Sequence, residues 1–421
     1  MRFDTNAFEA IGEAMKYDVA IVGAGAAGIA AARALVGQHR SVIVLEASSR
    51  VGGRGCTTEL AGMALDLGCG WLHSADRNPL VAVGEAAGFT IVRGASAWGE
   101  QWRGLGFSAQ EKAAAGAAWD ALERRLHDAP PASDRASDAL APAGGWNDFC
   151  RALSGYMNGA DLDRLSVADF LAYDDAATEN NWRVREGYGT LLAASLPQVD
   201  LRLATPVRGI ALDGRDVRLD TGRGTVIAQS VIVTVSTNLL ASGGIAFGTS
   251  ATDHLHAASQ LPLGLADKLY LELLDPDAFE AETHLIGNPR DPNTGSYYIR
   301  PFGMPVIEAF YGGPGADMLE RAGIADAARF AIDELAALLG SDVRAKLRPL
   351  GGSQWCRTDW INGSYSHALP GQAGARAILA RPIDQRIFFA GEATHTTDFS
   401  TAHGAWQSGI RAATEVIDSL P

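Results

Sequence analysis

A short apolar strand, a Gly-x-Gly-x-x-Gly turn and an acidic residue closing the next strand predict an α/β protein. Its base is a Rossmann-type dinucleotide-binding domain, with a second, α+β domain inserted into it. The first strand runs from Tyr17 to Val22 and leads into Gly23-Ala24-Gly25-Ala26-Ala27-Gly28. A helix follows to about Val36, with Gly37 as its stop. The second strand, Ser41 to Leu45, ends on Glu46 and Ala47, and Glu46 stands 18 residues beyond Gly28. Gly23 makes the tight turn, Gly25 admits a pyrophosphate close to the backbone, and Gly28 lets the helix pack on the sheet. The helix N-terminus at Ala26 and Ala27 offers free N–H groups and the positive dipole end to phosphate. Glu46 is placed to accept hydrogen bonds from an adenosine ribose, and an acid there disfavours a 2′-phosphate.

The 421 residues are 47% hydrophobic and 20% charged, enough for two or three packed domains and too apolar for disorder. Against 49 acidic side chains stand 35 basic ones, a net charge of −14, which argues against a dedicated nucleic-acid binder. Only four of the basic residues are lysine (Lys16, Lys112, Lys268, Lys346). Cys56, Cys69, Cys150 and Cys356 are scattered, without metal-ligand spacing, and fit a reducing cytoplasm. Residues 1–16 hold Asp4, Glu9 and Glu13 and no apolar core, so they read as a short, partly helical extension and not a signal peptide. Val19 to Gly37 imitates a membrane span, but its glycine spacing and Arg33 argue for the nucleotide unit instead.

Directly after Glu46 comes Arg50-Val51-Gly52-Gly53-Arg54, a candidate second phosphate clamp. With the first βαβ unit it resembles the flavin-containing amine oxidase family, monoamine and polyamine oxidases included. The resemblance extends from about residue 17 to 417. It is carried by Asp66-Leu67-Gly68-Cys69-Gly70-Trp71-Leu72-His73 with Asn78-Pro79, by Glu186-Gly187-Tyr188-Gly189, and by Leu201 to Val207. Ser230 to Val235, Phe389-Ala390-Gly391-Glu392-Ala393 and His403-Gly404-Ala405 with Ser408-Gly409 complete it. The resemblance implies noncovalent FAD. Gly52, Gly53 and Arg54 would run along its pyrophosphate and ribityl chain, Gly70 and Trp71 would cross its face, and Val207 would flank the adenine. Gly391 and Glu392 would hold the ribityl hydroxyls, with Thr401 and Ala402 opening a helix against the pyrimidine edge.

Lys268 lies in an apolar stretch, Leu263 to Leu271, where a lysine is rarely buried unpaired. The resemblance assigns it the water beside flavin N5, and the bland alternatives are snorkelling from a strand to the surface or pairing with Asp267. Trp355 and Tyr365 frame a segment that in the family faces the substrate, so Tyr365 would line the pocket with Trp355 beside it. Where animal monoamine oxidases carry the flavin-linking cysteine, this chain has Ser364, and Thr401 occupies the place of their second aromatic. His73 and Gly70 stand where polyamine oxidases commonly contact substrate nitrogens; Gly70 has no side chain to do so.

The expected architecture is one FAD domain in three pieces (17–92, 200–265 and 357–421), with a substrate domain from 93–199 and 266–356. Helices are expected near 109–127 and 324–340, and Asp128 to Gly145 reads as a mobile loop. The implied reaction is oxidation of a small aliphatic, aralkyl or polyamine substrate. The α-carbon gives a hydride to flavin N5, the imine hydrolyses to a carbonyl, and dioxygen becomes hydrogen peroxide. Expected partners are the amine and dioxygen, with no metal, nucleic acid or membrane, and a homodimer is one assembly the sequence permits. The alternatives are a related desaturase acting on C–C bonds, or a flavin-binding protein without turnover.

Overall fold

The computed structural model describes residues 16–248 and 251–420, so the extension expected over 1–16 lies outside the described residues apart from Lys16. Strand β1 (Lys16–Val22) sends alternate side chains to opposite faces, as a strand must. Val19 and Ile21 enter one core, and Ala20 and Val22 enter a second. Both faces of this sheet are therefore covered. Beside β1 lie β2 (Val42–Leu45) and then β8 (Asp200–Arg202), all parallel. On its other side β1 pairs in parallel with the second half of β11 (Gly224–Val233), which also takes β18 (Ile387–Phe389). The antiparallel β10 (Asp216–Thr221) and β9 (Val207–Asp213), with β12 (Ala246–Phe247), extend the sheet to eight strands.

Helices α1 (Ala26–Val36) and α12 (Ala402–Ser419) cover the first face. They cross so closely that a Cβ on Gly409 would lie 2.1 Å from the Ala27 carbonyl oxygen. Gly37 ends α1 in right-handed geometry (φ −59°) rather than the left-handed turn its glycine would permit. Short helices α2 (Pro79–Ala86) and α6 (Tyr188–Ala194) pack into the same core through Leu80, Tyr188 and Leu191. The opposite face is covered by α7 (Thr237–Ala241), α8 (Thr252–Ser259) and α11 (Ala375–Leu379). A hairpin of β3 (Thr57–Leu60) and β4 (Met63–Asp66) precedes a small sheet in which β7 (Trp182–Val184) pairs with β5 (Trp71–Leu72) and β6 (Ile91–Val92). Residues 182–194, expected in the inserted domain, thus join the nucleotide-side core: Val184 and Tyr188 are apolar anchors for it.

The second sheet is antiparallel, in the order β14 (Thr283–Ile286), β15 (Ser296–Ile299), β16 (Val306–Gly312), β13 (Ala266–Leu273), β17 (Leu347–Gly352). One face, with Leu269, Leu271, Ile307 and Tyr297, packs under α9 (Gly313–Ala322) and α10 (Ile324–Leu339). By strand alternation the other face carries Lys268, Tyr270, Glu308, Phe310 and Tyr298. Helices α3 (Ala109–Asp128), α4 (Asn147–Asn158) and α5 (Val167–Asp174) contribute to a smaller core. The stretch Asp128 to Gly145 is not the loose loop its composition predicts. A 3₁₀ turn, Ala136–Ala139, buries both alanines against Leu122 and Phe170. Asp134 fastens it by accepting from Ser166 Oγ (2.5 Å), Ala168 N (2.9 Å) and Gly371 N (2.6 Å).

Candidate active site

The phosphate turn is built by contacts that tolerate no side chain. Gly23 has φ +106°, and a Cβ on Gly28 would stand 2.0 Å from the Gly23 carbonyl oxygen. Gly25 is the N-cap of α1 without a side-chain cap, so the first N–H groups of the helix, at Ala26, Ala27 and Gly28, have no carbonyl upstream to accept them. The second glycine loop lies directly over the first: Gly52 N donates to Ala24 O (2.8 Å), and a Cβ on Gly53 would lie 3.1 Å from Gly25 Cα. Glu46 is buried and accepts from Ala24 N (2.7 Å) and Ser48 N (2.8 Å), which fixes its carboxylate at the strand end beside Ala47. Two backbone bonds leave lone pairs for a ribose. Thr205 N donates to Glu46 O (2.8 Å), tying the start of β9 and buried Val207 to the same corner.

At the other end Glu392, beside Gly391 (φ +135°), is an anchor for four groups. Its carboxylate accepts from Arg54 Nη1 (2.8 Å), Ser366 N (3.1 Å), Ser366 Oγ (2.6 Å) and Ser400 N (2.8 Å). Burial opposes its ionisation, but Arg54 and Arg376 outweigh that and hold the carboxyl below its usual range. Arg376 is 1% exposed. It donates to Ser366 Oγ (2.9 Å) and grips Asp169 through Nε–Oδ1 (2.6 Å) and Nη2–Oδ2 (2.8 Å). Sequence reading missed Arg376, Asp169 and Ser366, because the pair spans 207 positions and no local motif marks it. Thr401 caps α12: its hydroxyl accepts from Gly404 N (2.9 Å) and donates to Asp398 O (2.6 Å). That hydroxyl is spent on the helix end, leaving Ala402 at the first helical position with an open N–H.

The lysine is paired, though not with its neighbour. Lys268 Nζ lies 3.1 Å from Glu308 Oε1 at 7% exposure, and Asp267 instead accepts from Ser353 Oγ (2.7 Å) and Trp355 N (3.2 Å). A Cβ on Gly70 would sit 2.8 Å from Lys268 Nζ, so a side chain there would push the ammonium aside. Trp355 is buried, and its indole N–H donates to Leu67 O (3.2 Å), bracing the segment that leads to Gly70. Tyr365 donates its hydroxyl to Tyr156 O (2.6 Å). Ser364 Oγ accepts from Ala266 N (2.7 Å) and bonds Ala266 O (2.8 Å), which welds this segment to the start of β13.

An aromatic wall continues from Trp71, whose ring centroid is 4.2 Å from Trp98 and 5.8 Å from Tyr298. Trp98 also stacks on His73 at 6.0 Å and is 39% exposed, a large apolar side chain at the surface end of the wall. His73 Nδ1 is 2.7 Å from Asn181 Oδ1. Burial lowers its pKa to about 4, so the ring is neutral at pH 7, with Nδ1–H the donor and Nε2 the free acceptor. Trp98, Tyr298 and Asn181 belong to no motif and emerge only from the packing. Among the described residues no cluster of His, Cys, Asp and Glu is placed to hold a metal ion, and no helix is long and apolar enough to cross a membrane.

Two stacked glycine loops on an uncapped helix N-terminus, with an acid at the second strand end and a second clamp at Arg54–Glu392, fit an extended dinucleotide. Together they define a dinucleotide-dependent oxidoreductase. Residues 95–417 match the family of flavin containing amine oxidoreductases, and residues 21–83 match the NAD(P)-binding Rossmann-like domain. The chain belongs to the flavin containing amine oxidoreductase family, and it is an FAD-dependent amine oxidoreductase. It is 27% identical over 513 aligned residues to polyamine oxidase 1 of Oryza sativa subsp. japonica, covering 96% of this chain and 98% of that one. It is 26% identical to polyamine oxidase 2 of Arabidopsis thaliana (97% and 90%). It is 25% identical to human lysine-specific histone demethylase 2, where it spans 53% of the longer protein. A structure of wild-type putrescine oxidase bound to putrescine superposes with a TM-score of 0.76 at 21% identity, covering 96% of this chain and 99% of that one, a likeness of fold.

Proposed function

We propose that this oxidoreductase acts on a small amine carrying one nitrogen on an aliphatic or aralkyl chain, with dioxygen as the final acceptor and hydrogen peroxide as a product. Bound FAD supplies the two-electron acceptor, and the oxidised substrate, an imine, takes up water to give a carbonyl compound. The chain's residues orient the amine and keep its surroundings uncharged. The observation that carries the substrate reading is His73. Held by Asn181 and neutral, it offers a hydrogen-bond acceptor and no charge, while Gly70 offers no side chain at all. Trp71, Tyr298 and Trp98 present aromatic surface to an apolar tail. Lys268, on the same sheet face as Tyr298, is the residue that would hold a water beside the flavin.

A polyamine substrate is the second reading. It is favoured by the polyamine oxidases of which this chain matches 98% and 90%. Aerobic turnover of benzylamine, phenethylamine and butylamine, set against putrescine and spermidine, separates the two. A kcat/KM at least tenfold higher for a monoamine, with one peroxide formed per carbonyl, supports the first reading. The reverse order supports the second, and no peroxide from any amine removes dioxygen from the scheme.

A further inference from the structure

A buried ammonium such as that of Lys268 needs a partner and a path to water to exchange its protons. Its surroundings on the sheet are specific. In the antiparallel register Tyr270 faces Glu308, and Lys268, two residues earlier, is the diagonal neighbour on the same face. Glu308 therefore reaches both. Oε1 lies 3.1 Å from Lys268 Nζ, and Oε2 accepts the Tyr270 hydroxyl at 2.7 Å. That hydroxyl also lies 2.9 Å from the Asp66 carbonyl oxygen, which anchors the pair to β4. Asp66 itself is committed elsewhere: its carboxylate accepts from Thr57 Oγ1 (2.5 Å), Tyr188 N (2.9 Å) and Gly189 N (3.2 Å).

A cleft is lined by Arg183 on β7, by Met304 before β16, by Lys268, Glu308 and Asp66, and by Gly70, Trp71 and Tyr298 of the aromatic wall. Lys268 is almost fully buried, whereas the Glu308 side chain keeps 18% of its surface. The carboxylate is thus the wetter member of the pair. Charged and titratable groups around them are Asp66 and Cys69 from the β4–β5 segment, His73, Tyr270, Tyr298, Arg185, and Arg183, which is neutralised by Glu282 at 2.6 Å.

We propose that Glu308 is the positioning residue of Lys268, and that this cleft is the solvent route to the amine. The step is a proton exchange and nothing else. A proton leaves the Lys268 ammonium for Glu308 Oε1, the carboxyl releases it to water in the cleft, and the reverse sequence returns it. The inference rests on the role given to Lys268 above, and its test separates the two.

The direct readout needs no turnover. FAD-loaded protein is treated with a limiting amine-acylating reagent, and modification of Lys268 is measured by peptide mass spectrometry against Lys16, Lys112 and Lys346 as internal references. Glu308→Gln, which frees the ammonium from its ion pair, should raise Lys268 modification at least fivefold. Met304→Trp, which puts a larger side chain into the cleft, should lower it by a similar factor. No change in the first overturns the positioning role, and no change in the second overturns the route. Stopped-flow reoxidation by dioxygen then tests action through the lysine. Lys268→Met and Lys268→Met with Glu308→Gln should reoxidise equally slowly, at least tenfold below wild type; a further slowing in the double variant contradicts the proposal. Wild-type reoxidation in Lys268→Met would instead defeat the role of the lysine, with the labelling still deciding the ion pair.

Discussion

Arg376 is the residue whose loss tests the cofactor clamp most severely. It makes a two-point ion pair with Asp169, both side chains being at most 2% exposed, and it supports Ser366, which in turn donates to Glu392. Arg376→Met removes a guanidinium and leaves Asp169 buried with one remaining donor, Ala368 N at 2.9 Å. Breaking a buried pair by removing one partner costs about 3–5 kcal/mol, because an uncompensated charge stays inside. Unfolding entropy of about 2.1 cal/mol/K per residue gives roughly 0.9 kcal/mol/K for a chain of 421 residues unfolding as one unit. The melting midpoint should therefore fall by about 3–6 °C. Replacing both partners, Arg376→Met with Asp169→Leu, removes the stranded charge and should recover at least half of the loss. Differential scanning calorimetry of the FAD-loaded proteins, with flavin fluorescence to follow release, checks both. A single variant within 1 °C of wild type, or a double variant worse than the single by the full cost again, would refute the reasoning.

Three further outcomes follow from the geometry. Gly28→Ala places a Cβ 2.0 Å from the Gly23 carbonyl oxygen, so α1 must move off the sheet, and FAD affinity by equilibrium titration should drop at least tenfold; unchanged affinity contradicts the role of that contact. Burial, then a proton shared with Glu320, pushes the Asp267 carboxyl up to about 7. Folded protein therefore holds this proton where unfolded chain has lost it, and the contribution is complete below about pH 4 and lost as pH rises through 7, by at most about 1.4 kcal/mol per unit. Asp267→Asn should flatten the fall in melting temperature between pH 5 and 7.5, and an unaltered slope counts against it. Ser364 is bonded to the Ala266 backbone, and burial pushes the Cys69 thiol up to about 12, far from a reactive thiolate. Acid precipitation should then release all flavin to the supernatant, and a yellow pellet would show a covalent link.

The nucleotide unit was legible because its signals are local: strand, glycine turn and Glu46 fall within thirty residues, and each glycine answers a steric demand at its own position. The partners of the site residues were not. Lys268 meets Glu308, forty positions away, only through the β13–β16 register, and Arg376 meets Asp169 only through packing of α5 against the Ser366 segment. Trp98 stacks on Trp71 and His73 from a stretch with no motif. Asp128 to Gly145 misled because serine, proline and aspartate mark fastened 3₁₀ turns as readily as loose loops, and Asp134 does the fastening. Thr401 was expected to open a helix in the place of a second aromatic, and its hydroxyl caps the N-terminus of α12.

Anaerobic mixing of the FAD-loaded protein with the amine panel, followed at the flavin absorption band, addresses the central claim of amine oxidation most directly. Bleaching by at least one amine, with a rate that saturates in amine concentration and an aldehyde or ketone recovered in equal amount, is the result this account predicts. A flavin band that stays oxidised with every amine, in protein shown to bind FAD fully, would contradict it.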